Sequence, residues 1–314
     1  MSKKVLIIMD PIESINIKKD TTYQLILSAQ EYGHEVFYLT PETLSVNPNG
    51  PVGEISKLII NAQENPFFEI SNTKSCELSE FDYVLMRKDP PVDNNFIYIT
   101  HILDSIDKKN TKVINSGFSL RNHNEKLITL NFPKHAPESL VTCNKREIEK
   151  FRDLHKNIIL KPLNLMGGRS VYFLEERDKN FNVIFEEITN MGKNYILAQR
   201  YISEAVNGDV RIIVINGEVY KEAVIRKPNR NDHRSNLASG GTIEKYLLNK
   251  NEINICSEIA NFLRNEKIYF AGIDMIGSKI TEINITSPTC ISEINNFHDI
   301  NLGIKFWEKI DEFN

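Results

Sequence analysis

The run Val5 to Met9 is apolar at every position, the pattern of a strand covered on both faces in a parallel sheet. Tyr23 to Glu31 spaces its apolar residues for a helix that stops at Gly33, and Val36 to Leu39 reads as the next strand. Tyr83 to Met86 is another strand, feeding the charged turn Arg87-Lys88-Asp89-Pro90-Pro91. A helix over Phe96 to Asp107 and a strand at Val113-Ile114 complete an open α/β layer. In such sheets ligands sit beyond the carboxyl ends of the strands, where Asp10 and the 87–89 turn fall.

A second unit begins near Ser119 with a helix through Asn131, then a strand from Glu138 to Thr142 and a helix from Lys145 to Leu154. Asn157 to Pro162 is extended, because Pro162 keeps Lys161 out of helical geometry. Leu163 to Arg169, with Gly167-Gly168, reads as a loop joining two hairpin strands. From about Tyr201 a third unit follows, in which Asp209 to Ile215 and Glu218 to Ile225 flank the turn Asn216-Gly217. Residues 226–241 lack apolar periodicity and carry Arg226, Lys227, Arg230, Arg234 and Gly240-Gly241; such a stretch is a lid or a disordered segment. Glu252 to Asn265 is a helix. The expected division is 1–122, 123–200 and 201–314.

The hairpin after that helix carries the sharpest chemical signal. Strands through Asp274 and through Glu282-Ile283-Asn284 alternate oxygen-bearing with apolar side chains, so Glu282 and Asn284 share a face. A two-residue turn at Gly277-Ser278 would oppose Ile273 to Glu282 and mix polar with apolar residues. A three-residue loop over 277–279 opposes Asp274 to Glu282 and gathers Ile273, Met275, Ile283 and Ile285 opposite, so that register is expected. Two carboxylates and one amide oxygen would then meet at a hard-cation site of the Mg²⁺ type.

Composition narrows the partners. The chain has 314 residues, 41% hydrophobic and 25% charged, with 42 acidic against 38 basic residues and a net charge of −4. That balance argues against a nucleic-acid binder working through a broad basic surface. Five apolar residues before Asp10 are too few for a signal-peptide core, and no later stretch approaches a membrane span. Cys76, Cys143, Cys256 and Cys290 form no CxxC and read as reduced thiols of a cytoplasmic protein; the histidines show no zinc spacing. GxxxxGK[ST], GxGxxG and GxSxG are absent. Local anion capture remains: Lys161 ends a strand beside the paired glycines, Asp209 and Arg211 alternate along a strand, and Arg226 and Arg234 border the 226–241 stretch. The Arg87-Lys88 pair suits a second anion such as a substrate carboxylate.

Several strings together resemble bacterial glutathione synthetase, of the ATP-grasp superfamily. They are Met9-Asp10-Pro11-Ile12 with Lys19-Asp20, Met86 to Pro91, Lys161-Pro162-Leu163 with Met166-Gly167-Gly168, Asn236-Leu237-Ala238 with Gly240-Gly241, and Thr281 to Asn284 through Ser287-Pro288-Thr289. The similarity covers essentially the whole chain. It implies an ATP-grasp fold preceded by an N-terminal open parallel-sheet, Rossmann-like domain. It further implies ATP-dependent ligation of γ-glutamylcysteine to glycine through an acyl phosphate, usually in a homotetramer. By this resemblance Lys126, Lys161, Gly167 and Gly168 meet ATP phosphates, and Gln199, Tyr201 and Ile202 border the adenine. Asp209, Arg211, Arg226 and Arg234 line the region of phosphate and peptide, with Arg211, Arg226 and Arg234 as catalytic candidates. Arg87, Lys88, Asp89, Gly240 and Gly241 are expected at the substrate, and Asp274, Glu282 and Asn284 around Mg²⁺ or Mn²⁺. Asn164-Leu165 stand where the family usually has Asp-Gly, and Ser235 where it usually has Gly, which bears on loop closure. A D-alanine-D-alanine ligase-like enzyme would share the lysines and acids, and a nucleotide-binding regulatory protein would keep binding without turnover.

Overall fold

The apolar N-terminal run becomes the centre of a sheet, as its need for cover on both faces requires. The computed structural model describes residues 2–312 apart from Asn72, Lys108 and 230–239. In it β1 (Lys4–Ile8) leads through α1 (Thr21–Glu31) to the parallel β2 (Glu35–Leu39). Asp20 caps α1 by accepting a bond from Tyr23 N at 2.8 Å, and Gly33, at φ +93°, reverses the chain. β3 (Leu44–Asn47), β4 (Gly50–Ile60), β5 (Phe68–Ile70) and β6 (Lys74–Glu77) then form an antiparallel extension in which the other three all pair with β4. β3, β5 and β6 are largely exposed and leave no hydrophobic pattern, while β4 does bury Ile55, Leu58 and Ile60 and was not among the expected strands. β7 (Tyr83–Met86) returns parallel to β1, and α2 (Asn94–Asp104) delivers β8 (Lys112–Ile114), parallel to β7. The strand order is β3-β4-β2-β1-β7-β8.

The helix expected from Ser119 through Asn131 is broken. α3 (Gly117–Asn122) stops, and a 3₁₀ turn follows at Leu127–Asn131. Asn124 causes the break, its Oδ1 accepting from Lys126 N at 3.0 Å and Leu127 N at 3.2 Å in place of helical bonding.

The second sheet holds β9 (Ser139–Thr142), β10 (Ile158–Pro162), β11 (Tyr172–Leu174) and β12 (Ile196–Arg200), antiparallel in the order β11-β10-β12-β9. α4 (Lys145–His155) and α5 (Phe181–Ile188) cover one face. Ile158, Leu160, Ile196 and Ala198 pack there with Ile148, Phe181 and Phe185. Strand alternation then sends Ile159, Lys161 and Gln199 the other way, into a cleft.

β13 (Asp209–Ile215), β14 (Glu218–Val219), β15 (Glu222–Lys227), β16 (Thr242–Leu247), β17 (Phe270–Ile276) and β18 (Lys279–Asn284) form the third sheet, ordered β16-β15-β13-β17-β18 with β14 on β13. Asn216 (φ +49°) and Gly217 (φ +81°) make the expected hairpin turn. Arg226 and Lys227 belong to β15 and strand structure resumes at Thr242, so the aperiodic 226–241 stretch is framed by two paired strands. α6 (Lys250–Asn265) covers one face through Ile255, Ile259 and Leu263 against Val210, Ile212, Ile273 and Ile283. On the other face Ile213, Ile215, Val224 and Phe270 join Phe306 and Trp307 of α8 (Leu302–Asp311), which follows α7 (Ile291–His298) and packs on α1. Asp209, Arg211, Arg226 and Asp274 lie on that same face and line the cleft. Among the described residues no helix is long and apolar enough to cross a membrane.

Candidate active site

The β17–β18 hairpin reaches the expected register by another route. Ile276 pairs with Lys279, so the turn is the two-residue Gly277-Ser278, not a three-residue loop. Met275 pairs with Ile280 and Asp274 with Glu282, leaving Thr281 as an extra residue in a bulge. The bulge resets the alternation, so Asp274 still opposes Glu282 while Ile273 and Ile283 stay in the core. Thr281 is held by its hydroxyl, which donates to Asp274 O at 3.3 Å.

Cross-strand pairing builds the charged part of the site. Arg211 stands opposite Asp274, and Asp209 opposite Arg226. Arg211 grips the Asp274 carboxylate with two bonds, Nε to Oδ1 at 2.6 Å and Nη2 to Oδ2 at 3.0 Å. Arg226 joins Asp209 Oδ1 at 2.6 Å and Asp274 Oδ1 at 2.9 Å. Burial alone would raise the Asp274 carboxyl, but the two guanidiniums hold it well below the ordinary carboxylate range. Gly272 makes the crossing of Arg211 over β17 feasible, because a Cβ there would lie 3.1 Å from Arg211 Cδ. Asn284 spends its amide N–H on Asp274 Oδ2 (3.2 Å) and Gly272 O (3.3 Å), which leaves its oxygen for a ligand. Glu282 keeps 21% of its side chain exposed and accepts from Lys126 Nζ at 3.0 Å.

The expected phosphate binders converge from separate elements. Lys126 also donates to Leu165 O at 2.8 Å, and Asn124 Nδ2 to Leu163 O at 2.8 Å, so the glycine loop is tied at two points. Gly167 and Gly168 adopt φ of +67° and +75° in succession, conformations that side chains resist. Lys161 donates to Gln199 Oε1 at 2.9 Å; burial lowers its pKa, opposed by the Glu282 charge. Tyr201 and Ile202 sit just after β12, where the chain passes to the third sheet, with the Tyr201 ring 4.7 Å from that of Phe173.

The cleft has two lobes. The first is lined by Lys126, Ile159, Lys161, Gly167, Gly168, Gln199, Tyr201, Ile202 and Asp209, the second by Asp89, Arg211, Arg226, Asn284, Thr289 and Glu293. Met166, Gly167, Asp274 and Glu282 line both and so mark their junction. Of the 87–89 turn only Asp89 reaches this cleft. Arg87 is buried, donating to Thr22 Oγ1 (3.0 Å) and Pro288 O (3.1 Å) over the Phe270 ring, and Lys88 bonds Asp10 Oδ1 at 2.6 Å. Gly240 and Gly241 lead into β16 and line neither lobe as described; Arg234 lies outside the described residues. Sequence reasoning passed over Glu125 and Glu293 and gave no role to Lys19, which also lines the second lobe; no spacing rule marks them, since each reaches its place through tertiary contact.

Glu282 and the Asn284 oxygen fit a hard divalent ion beside Lys126, whereas the Asp274 carboxylate, expected as a third ligand, already accepts from Arg211, Arg226 and Asn284 through both oxygens and instead fixes the guanidiniums next to that site. Residues 3–121 match the model of the prokaryotic glutathione synthetase N-terminal domain, and residues 125–299 that of the prokaryotic glutathione synthetase ATP-grasp domain. The chain is 41% identical over 311 residues to a glutathione synthetase of Vibrio vulnificus strain YJ016, covering 99% of this chain and 98% of the relative. Among solved structures it is similar to the D-cycloserine synthetase DcsG (TM-score 0.69, 10% identity, covering 98% of this chain and 99% of that one). It is also similar to the ATP-grasp ligase PsnB complexed with minimal precursor, Mg and ADP (TM-score 0.62, 14% identity, covering 98% and 97%). The fold is therefore ATP-grasp, and the chain belongs to the prokaryotic glutathione synthetase family, whose activity is an ATP-dependent ligation.

Proposed function

We propose that ATP occupies the first lobe and γ-glutamylcysteine and glycine the second, with the reacting groups at the junction. The chain has glutathione synthetase function and uses ATP; the placement of substrates is our reading. The observation that carries it is the sharing of Met166, Gly167, Asp274 and Glu282 by both lobes. A terminal phosphate on one side and a peptide carboxylate on the other would meet only there.

A carboxylate is a poor acyl donor, because its leaving group would be oxide. In the proposed route the cysteinyl carboxylate attacks the γ-phosphorus, ADP leaves, and an acyl phosphate forms. Glycine's amine then attacks the carbonyl, phosphate departs and the amine proton is released. Phosphoryl transfer asks mainly for positioning and charge neutralisation. Lys126, Lys161 and the Gly167-Gly168 backbone suit the phosphates; Gln199, Tyr201 and Ile202 suit the adenine. Arg211 is already fixed by Asp274, and its Nη1 holds only long bonds to Thr289 O and Oγ1 (3.3 and 3.4 Å), which a developing oxyanion can replace. Arg226 and Asp209 hold that array in place, and Asp89 and Asn284 face the peptide. Glu282 and Asn284 would hold Mg²⁺, or Mn²⁺, with Asp274 beside them keeping Arg211 and Arg226 in place, and the ion would supply charge neutralisation for the phosphates. A homotetramer and a cytoplasmic setting, in keeping with four free thiols, complete the reading.

The test is ADP release with γ-glutamylcysteine, glycine and Mg²⁺ each omitted in turn. Turnover is expected only with all present. ADP formed at full rate without glycine, or with D-alanine in place of both substrates, would overturn the assignment.

A further inference from the structure

We infer that Glu125 is a positioning residue that sets the Lys126 ammonium against Glu282 across the phosphate site. The inference rests on the reading of Lys126 given above. A lysine side chain has a long flexible stem, so its ammonium is only as well placed as the backbone that carries it. Here that backbone is the short stretch between α3 and the 3₁₀ turn at Leu127–Asn131, which has no helical or sheet ladder of its own.

Asn124 Oδ1 holds Lys126 N on the glycine-loop side, and Glu125 supplies the anchor to the third sheet. Its Oε1 accepts three bonds from the two residues that follow β18: Ile285 N at 2.7 Å, Thr286 N at 2.9 Å and Thr286 Oγ1 at 2.9 Å. Its backbone oxygen accepts from Ile283 N at 2.9 Å, between Glu282 and Asn284. The residue is buried, and no cation is paired with it at salt-bridge distance among the described residues. A carboxylate placed so is tolerated when several donors converge on it, as they do here. Three consecutive side chains thus tie two elements together: Asn124 and Lys126 hold Leu163 and Leu165 of the glycine loop, while Lys126 and Glu125 hold Glu282 of β18 and the residues just after it. Glu125 converts the position of the Glu282 strand into the position of the Lys126 ammonium.

The experiment compares Glu125→Ala, Glu125→Gln and Thr286→Val in the full chain, measuring KM for each substrate and, without turnover, equilibrium binding of a fluorescent ATP analogue. Glu125→Ala is expected to weaken ATP binding and kcat by about 10- to 100-fold, as misplacement of about 1 Å does, with KM for glycine little changed. Glu125→Gln keeps an acceptor oxygen and is expected to stay within about 3-fold of the parent, a difference under about 1 kcal/mol. Thr286→Val, losing one bond of three, is expected to fall between. Unchanged ATP binding in a folded Glu125→Ala, or equal changes in all substrate constants tracking lost thermal stability, would overturn the proposal. If Glu125→Ala does not fold, Thr286→Val decides, since unaltered ATP affinity there is equally adverse. Lys126→Met separates the two levels. Unaffected ATP affinity in that variant removes the underlying reading, while a strong loss there beside an inert Glu125→Ala removes only the inference.

Discussion

The two walls of the cleft work by opposite electrostatics. The wall from β10, β12 and the segments next to them presents Ile159, Val171, Tyr201 and Ile202 around Lys161, whose partner is the neutral amide of Gln199, with Arg169 and Arg200 also on its lining. The facing wall from β13, β15, β17 and β18 packs Asp209, Arg211, Arg226 and Asp274 into a buried network closed at 2.6 to 3.0 Å. An apolar wall binds a flat ring without directional demands and desolvates its lysine. A charged network spends its desolvation during folding, so its dipoles need no rearrangement when charge develops. One wall accommodates and the other aims.

The contrast can be broken most severely at Glu282. Glu282→Gln keeps the shape of a partly exposed side chain and leaves Lys126 Nζ an amide oxygen and Leu165 O to donate to, so circular dichroism should be unchanged and the melting temperature should fall less than in Asp274→Asn. Mg²⁺-dependent turnover should fall by about 10²- to 10³-fold, the usual cost of one lost electrostatic contact to the transition state. Parent-like kinetics would remove the metal assignment. Asp274→Asn attacks the network from inside and should destabilise as well as inactivate. Leaving two buried guanidiniums without their shared carboxylate costs about 3 to 5 kcal/mol, readable from urea midpoints. A variant as stable as the parent would mean that the network is not a rigid unit.

The apolar wall should respond more gently. Lys161→Met is expected to raise KM for ATP about 10- to 100-fold, the range of one charge-assisted hydrogen bond, while leaving KM for glycine alone. Because burial lowers the Lys161 pKa, its charge is lost earlier on the alkaline side than that of an ordinary lysine. KM for ATP should therefore climb as pH rises, and that limb should flatten in Lys161→Met. A pH profile identical in both proteins would assign the alkaline limb to another group.

What could be read before folding divides along a physical line. Elements with a strong local signal were legible: β1 as an apolar run buried on both faces, α1 from helical spacing, β10 from Pro162 at its end and β13 from the Asn216-Gly217 turn, with β7 and α6 also placed. The exposed strands β3, β5, β6 and β16 leave no such record and were not anticipated, and β4, α5, α7 and α8 were passed over although each buries one side. The metal-type face was legible for a sound reason, that apolar residues had to share a side, although a bulge at Thr281 and not a longer turn satisfies it. Arg87 shows the limit. Its charge suggests an anion, yet the fold spends it on Thr22 and Pro288, which is 201 residues away along the chain.

Residue order by itself determined the three-sheet succession, the alternating faces and the oxygen-bearing hairpin, because each follows from period-two or period-3.6 burial within a few residues. Only the tertiary structure decided that Arg211 and Arg226 close on Asp274, that Lys126 meets Glu282 from 156 residues away, and that Glu125 anchors the strap between them. Charges carry no local periodicity, and which partner each finds is settled by how the separately buried sheets pack together.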